Sequence, residues 1–389
     1  MMTEKLFYSD AYITAFEGTV LSCEEVHKGF LVSLERTAFY PEGGGQPADT
    51  GTLGGAIVFD VHEQDGIVYH HTDRPLVLNE KVSGTIDWER RFDFMQNHTG
   101  EHILSGVICE KYGCDNVGFH MGRDVVTIDF NIKIPAVDFA VLEERANTAI
   151  WRNKEIEISY PSEKELEKLL YRSKIALAGE VRITAIAGYD CCACCGTHVR
   201  GAGEVGMIKI ISGQNYKGGT RLEILCGGRA LRHYQGIHEA AVGVGSMLSV
   251  TAERISLPVE MLMQEKNRLL QEVGALRRES LQAKVDALED GIRNVCYFEI
   301  DMNGKDMIHF ADSVLEKVGE RVVVCNQTEA GFAYVLLTKL DDGDAWRSEL
   351  AEVFQAKGGG KKNAIQGRLQ GGKNEIKDFF EGRGFMIRE

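Results

Sequence analysis

The chain has 389 residues, 44% of them apolar and 26% charged, and carries a net charge of −14. That length predicts two or three domains of ordinary soluble type, and the acidic balance excludes indiscriminate nucleic-acid binding, because phosphates are held mainly by Lys and Arg. No apolar run reaches membrane-spanning length, and residues 1–10 have neither a basic start nor an apolar stretch, so no membrane contact and a cytoplasmic address are expected.

Over residues 1–91 apolar and polar positions alternate in short bursts, such as Phe30–Leu34 and Ala56–Phe59, separated by glycine-rich turns. This pattern predicts a small antiparallel barrel or sheet. Its distinctive element runs from Thr37 through Phe39, Tyr40, Pro41, Gly43, Gly44, Gly45 and Gln46 to Pro47. Consecutive glycines weaken a strand, so these predict either a sharp turn or a place where a substrate approaches bare backbone.

The next segment, Phe92–Tyr112, spaces Met95, Ile103, Leu104, Val107 and Ile108 for a helix that buries one stripe. His98 and His102 ride on it four residues apart, which stacks their imidazoles one turn apart on one face. Strands are expected near Val125–Phe130, Val181–Ile186, Val205–Ile211 and Arg221–Cys226, and helices over Val137–Arg152 and Glu163–Ser173, an α+β arrangement. A loop past the strand that ends near Ile186 carries Cys194, Cys195, Gly196, Thr197 and His198, again with its outer residues four apart.

Either pattern alone is a weak signal. Their joint presence in a chain with 11 His and 10 Cys predicts a metal site of three imidazoles and one thiolate. Such a set suits zinc, which takes tetrahedral nitrogen and sulfur donors. Cys191, Cys192 and Cys195 crowd around Cys194, while the other six cysteines are scattered. Reduced thiols are expected, one on the metal and its neighbours acting as small buried apolar residues.

Two basic stretches interrupt the acidic background. Between Arg200 and Arg232, six basic residues, Lys217 and Arg221 among them, face two acidic ones; between Lys357 and Arg388, eight face three. Interleaved with glycine, both favour contact with a polyanion over an ordinary solvated face. Beyond Ser246, residues Val259, Leu262, Leu269, Val273, Leu276 and Ala283 fall on heptad-like positions amid charged ones, which predicts a long helical arm with one sticky seam. Lys266 and Ser280 interrupt that seam, so the arm is expected to dock on a partner or on itself. From Gly291 a last α/β module follows, with strands near Val295–Ile300, Arg321–Asn326 and Phe332–Leu337. Its glycine-lysine segment, Lys357–Lys362, lacks the spacing of a nucleotide P-loop.

Taken in order, Thr37 to Gln46, His98 with His102, and Cys194 with Gly196, Thr197, His198 and Val199 resemble the free-standing alanyl-tRNA editing proteins called AlaX and the editing part of alanyl-tRNA synthetase. The carboxy-terminal part resembles the DHH-associated domain that ends those synthetases, so the resemblance covers nearly the whole chain. One departure is Cys195, where family members commonly have glycine. The chain is similar to the long form of the editing protein, with no aminoacylation domain expected ahead of its barrel.

The resemblance implies an α+β multidomain fold: an N-terminal small β-barrel with the glycine-rich motif (residues 1–91), an α+β zinc-binding editing domain (92–245), a helical arm (246–290) and a DHH-associated-like α/β domain (291–389). It implies a trans-editing hydrolase that cleaves the ester between serine, or glycine, and the terminal adenosine of tRNA(Ala), because a pocket for alanine rejects such residues only weakly. His98, His102, Cys194 and His198 would hold Zn2+. Thr37 would pair with the serine hydroxyl, Gly43, Gly44, Gly45 and Gln46 would shape the opening for the acylated adenosine, and Lys217 and Arg221 would contact phosphate. Glu101 is either the base that activates water or a solvent-facing helix residue, and Asp190 is expected to hold a ligand imidazole from behind. The arm and terminal module point to a homodimer. Three rivals stand beside this reading: an inverted-motif zinc metalloprotease built on His98, Glu101 and His102, a non-catalytic zinc-stapled tRNA-binding protein, and an editing enzyme for another tRNA, such as that for threonine.

Overall fold

The computed structural model describes residues 2–173, 181–329 and 331–389. Contacts between Cα atoms divide the chain into two compact units, Met1–Glu253 and Arg254–Glu389. The first unit opens with β1 (Ala15–Val26), β2 (Gly29–Leu34), β3 (Gly51–Leu53), β4 (Ala56–Gln64), β5 (Ile67–Thr72) and β6 (Lys81–Ile86). They close a barrel in the order β1-β2-β5-β4-β3-β6, with antiparallel neighbours throughout. The alternation seen in the sequence has a direct cause: Val20, Val32, Leu34, Leu53, Val58, Val61 and Val68 all point into the barrel and are fully buried, while the residues between them face outward.

Helix α1 (Trp88–Tyr112) follows. Asp87 caps its start by accepting from the Arg90 N–H at 3.3 Å, and Gly113 ends it at φ 62°. The expected single apolar stripe is only part of what it buries. Asn97, His98, Thr99, Glu101, His102 and Ser105 are buried as well, because other elements cover the opposite face.

Those elements are β7 (Asn116–Met121), β8 (Val126–Phe130), α2 (Phe139–Trp151), β9 (Ile156–Ser159), β10 (Ile183–Ile186), β11 (Asp190–Ala193), β12 (Ile208–Tyr216) and β13 (Gly219–Cys226). They form a four-stranded sheet in the order β12-β13-β8-β7 and a three-stranded sheet in the order β9-β10-β11. Helix α3 (Gly227–Leu248) ends the unit.

One buried ion pair ties the barrel to α1. Arg91, on the first turn of α1, donates from Nε to both carboxylate oxygens of Asp49 at 2.9 and 3.0 Å, and from Nη2 to Asp49 and to the Ala38 carbonyl. Its Nη1 donates to the Ala11 carbonyl at 2.8 Å, and the Tyr40 N–H donates to Asp49 at 2.6 Å. Both Arg91 and Asp49 are wholly buried. The pair therefore locks the segment from Thr37 to Asp49 against the helix that carries the histidines.

The second unit begins with α4 (Ser256–Asp286), on which Val259, Leu262, Leu269, Val273 and Leu276 are 38% to 59% exposed. Its remaining elements are β14 (Asn294–Ile300), α5 (Gly304–Lys317), β15 (Arg321–Thr328), β16 (Gly331–Thr338), α6 (Gly343–Phe354), β17 (Lys357–Lys361), β18 (Ala364–Leu369), α7 (Lys373–Glu381) and β19 (Met386–Arg388). The six strands form one mixed sheet in the order β17-β18-β16-β15-β14-β19. Apolar residues on both faces, Val322 and Val324 on one and Val323 and Cys325 on the other, are sandwiched by helices. The glycine-lysine segment is the exposed edge strand β17.

Two local expectations are corrected. Helix is found only at Glu163–Leu166, not through Ser173. The reason is Arg172, whose N–H donates to the Cys191 carbonyl at 2.8 Å and whose carbonyl accepts from the Ala193 N–H at 2.9 Å, so the chain is drawn out alongside β11. That strand also stands between Ile186 and the Cys194 loop, where the sequence reading had only loop.

Candidate metal centre

His98 and His102 project from α1 one turn apart, with ring centroids 5.3 Å from each other. The Cys194–His198 loop meets them at the end of β11. Arg182 fastens it: the Arg182 carbonyl accepts from the Cys194 N–H at 3.0 Å, and its Nη1 donates to the carbonyls of Cys194 and Gly196 at 2.7 and 3.0 Å. Gly196 passes so near His98 that a Cβ there would lie 2.0 Å from the ring, which only glycine permits. As a result, one ligand atom from each of His98, His102, Cys194 and His198 lies within 4.8 Å of the others. Cys194 Sγ is 3.4 Å from Nε2 of both His98 and His198.

Each imidazole is held from behind through Nδ1. His98 Nδ1 donates to Gln46 Oε1 at 2.9 Å and His102 Nδ1 to Asp190 Oδ2 at 2.8 Å, while His198 Nδ1 pairs with Thr99 Oγ1 at 3.1 Å. This leaves all three Nε2 atoms turned toward Cys194, the tautomer and orientation that metal-ligating histidines adopt. Asp190 is fixed in turn by Arg172, which donates from Nε and Nη2 at 2.7 and 2.8 Å. Gln46 is fixed by Thr197, whose N–H reaches Oε1 at 3.1 Å and whose Oγ1 accepts from Nε2 at 2.9 Å.

Charge follows the same geometry. Burial disfavours a thiolate, but the imidazoles of His98, His102 and His198 hold the Cys194 thiol well below the ordinary thiol range. Burial likewise opposes charge on His102, yet Cys194, Asp190 and Glu101 draw it well above the usual imidazole value. For His198 burial prevails and pushes it down to about 3. Convergent nitrogens, a ready thiolate and restrained rings fit a divalent metal ion.

The remaining expected site residues fall in different places. Gly43 and Gln46 exchange backbone hydrogen bonds at 3.0 and 3.1 Å, making the tight turn. Gly45, at φ 85°, lies against Phe119, and its carbonyl accepts from the Met121 N–H at 3.0 Å; Gly44 has nothing within 4 Å of where a Cβ would be. Phe119 stacks on His98 with centroids 5.0 Å apart, so the glycine turn adjoins the metal ligands. Gln46 is buried behind His98 rather than lining the opening.

Thr37 is wholly buried, with Oγ1 2.8 Å from His70 Nε2. Glu101 is 1% exposed, which overturns its reading as a solvent-facing residue. Its Oε1 accepts from Ser105 at 2.7 Å and Asn116 at 2.5 Å, and its Oε2 is 3.8 Å from His102 Nε2. Arg221 does not offer a free guanidinium: β8 and β13 pair it opposite Asp129, which it grips at 2.6 and 2.7 Å while covering the Tyr216 ring. Lys217 stands exposed on the turn between β12 and β13. Cys194 belongs to the group of converging ligand atoms, whereas Cys195 is exposed rather than the small buried residue expected beside it.

Sequence reasoning missed Arg91 with Asp49, Thr99, Arg172, Arg182 and His70. Their partners lie a dozen residues or more away, and no local spacing marks them. The protease reading meets an obstacle here, since the group around His98 and His102 is completed by Cys194 and His198 instead of a later glutamate.

Comparison with known proteins agrees with this architecture. The family model described as threonyl and alanyl tRNA synthetase second additional domain matches residues 181–223, and that of tRNA synthetases class II (A) matches residues 3–90. The alanine–tRNA ligase of Pyrococcus abyssi is 29% identical over 95% of the chain, which spans only 42% of that ligase. Alanyl-tRNA editing protein AlaX-M of Methanosarcina barkeri is 38% identical over 55% of this chain and 94% of its own. Alanyl-tRNA editing protein AlaX-L of Pyrococcus horikoshii is 30% identical over 97% of both chains. The chain belongs to the AlaX family of alanyl-tRNA editing proteins.

Proposed function

We propose that this protein is a zinc-dependent aminoacyl-tRNA deacylase that hydrolyses tRNA(Ala) mischarged with serine, and with glycine, in trans. The observation that carries the reading is the convergence of His98, His102, His198 and Cys194, each imidazole held through Nδ1, beside the glycine turn of Gly43, Gly44 and Gly45. Family membership supplies the substrate class.

In this reading the four side chains hold Zn2+, which supplies Lewis acidity toward the ester. The open side of the glycine turn at Gly44 receives the terminal adenosine, and Thr37 contacts the aminoacyl side chain. Glu101, fixed by Ser105 and Asn116 with Oε2 3.8 Å from His102 Nε2, takes the proton of the attacking water. Gln46 orients His98, and Asp190 orients His102. Lys217 contacts phosphate; Arg221 supports its strand. The exposed seam of α4 supports a homodimer through the C-terminal region, whose α/β module we take as DHH-associated-like.

The test is deacylation of Ser-tRNA(Ala), Gly-tRNA(Ala) and Ala-tRNA(Ala), with and without chelator. Hydrolysis of the first that spares the last and stops with chelator is expected. Binding of tRNA with no deacylation would favour the stapled binding protein instead, and preference for a mischarged threonine tRNA would move the substrate assignment.

A further inference from the structure

We propose that His70 fixes Thr37 as a hydrogen-bond acceptor, and so makes the site prefer an esterified amino acid whose side chain carries a hydroxyl donor. The proposal rests on the reading of Thr37 as the residue that meets the aminoacyl side chain.

His70 lies on β5 with its ring inside the barrel, wholly buried. Val32, its partner across the β2–β5 pairing, places a carbonyl oxygen 3.0 Å from His70 Nδ1. A carbonyl can only accept, so Nδ1 carries the proton. Burial pushes the imidazole down to about 4, which keeps the ring neutral near pH 7. Nε2 is then bare, and the only proton in the 2.8 Å contact with Thr37 Oγ1 is that of the threonine hydroxyl. The tautomer of one histidine thus dictates the direction of the threonine's hydrogen bond.

The rest of the hydroxyl is accounted for as well. The Phe39 N–H donates to Thr37 Oγ1 at 3.1 Å, and the Phe39 ring stands edge-on to His70 with centroids 5.3 Å apart. A threonine hydroxyl has one proton and two acceptor positions. The proton goes to His70 and one acceptor position to Phe39, which leaves a single position that can only accept. A serine hydroxyl can donate to it. Alanine's methyl group and glycine's hydrogen cannot, and they leave it unpaired.

The alternative role for such a pair, a threonine nucleophile activated by histidine, does not suit these groups. An imidazole held near 4 is a poor base at neutral pH. His70 is therefore a positioning residue, acting through Thr37.

The test compares kcat/KM for Ser-tRNA(Ala) with that for the hydroxyl-less esters Gly-tRNA(Ala) and Ala-tRNA(Ala), using the full-length, zinc-loaded protein. His70→Leu removes the acceptor and frees the hydroxyl to turn, so the ratio falls about tenfold, the size of one buried hydrogen bond. His70→Gln offers a side-chain oxygen in place of Nε2 and brings the ratio back to within about threefold of the wild type. An unchanged ratio in His70→Leu, or equal loss on all esters without recovery in His70→Gln, overturns the proposal. Should His70→Leu fail to fold, nitrogen-15 shifts of His70 in the wild type decide: protonated Nδ1 with bare Nε2 is expected, and a proton on Nε2 overturns it. A wild type that hydrolyses none of these esters refutes the proposed function instead, while the tautomer measurement still judges the His70–Thr37 geometry.

Discussion

Replacing Asp190 by alanine weakens metal binding more than removing either of the other groups that hold a ligand imidazole. The Asp190 carboxylate is buried, accepts His102 Nδ1–H at 2.8 Å, and is itself gripped twice by Arg172. His98 and His198 lean on neutral partners, Gln46 Oε1 at 2.9 Å and Thr99 Oγ1 at 3.1 Å. Loss of a partner behind a ligating histidine costs about 10- to 100-fold in affinity, which is about 1.4 to 2.8 kcal/mol. A charge-assisted hydrogen bond is roughly twice as strong as a neutral one. Asp190→Ala therefore falls near the upper end, about 100-fold, and Gln46→Ala and Thr99→Val near the lower, about tenfold. Asp190→Asn, which keeps an acceptor but loses the charge, lies between them. Competition for zinc against a chromophoric chelator at fixed neutral pH measures all four. An affinity in Asp190→Ala equal to that of the wild type, or a larger loss in Thr99→Val, would refute the reasoning.

Four further outcomes follow from the same geometry. Arg91→Ala strands Asp49 as an uncompensated buried charge and costs about 3 to 5 kcal/mol, read as a lower denaturation midpoint; a change within about 0.5 kcal/mol would mean that solvent reaches the carboxylate. Cys194→Ser loses the metal, whereas Cys195→Ser, altered at an exposed thiol, keeps it on elemental analysis; the reverse result would reassign the sulfur ligand. His70, pushed down to about 4 from an ordinary 6.5, lets the unfolded chain take up a proton that the folded one refuses. The stability it contributes is full above pH 6.5 and is lost as pH falls toward 4. Zinc-loaded wild type therefore loses up to about 3 kcal/mol relative to His70→Gln across that window, and parallel pH profiles of the two would contradict the burial argument. Chelation lowers the unfolding temperature of the wild type, because the metal binds the folded ligands together, and an unchanged temperature would show that they stay gathered without it.

How much of this was legible beforehand depended on distance along the chain. The barrel strands announced themselves through alternation, since each inward valine has an outward neighbour. The glycine turn and the four ligands announced themselves through spacing, which a helix turn or a short loop converts directly into proximity. Glu101 was ambiguous for the same reason: its place three residues after His98 says which face it shares, and only the sheet packed on that face removes it from solvent. Arg221 resembled a free cation because its pairing with Asp129 spans 92 residues. Gln46, which read as part of the opening, turns behind His98 because Thr197, 151 residues away, fixes both ends of its amide.

Local periodicity and ligand chemistry thus specified the elements and the metal donors, because both act within a few residues of chain. Which tautomer each histidine holds, which carboxylate is paired, and which hydroxyl can only accept were settled by packing. Those properties belong to hydrogen-bond partners that meet only when barrel, helix and loop close on one another and exclude water.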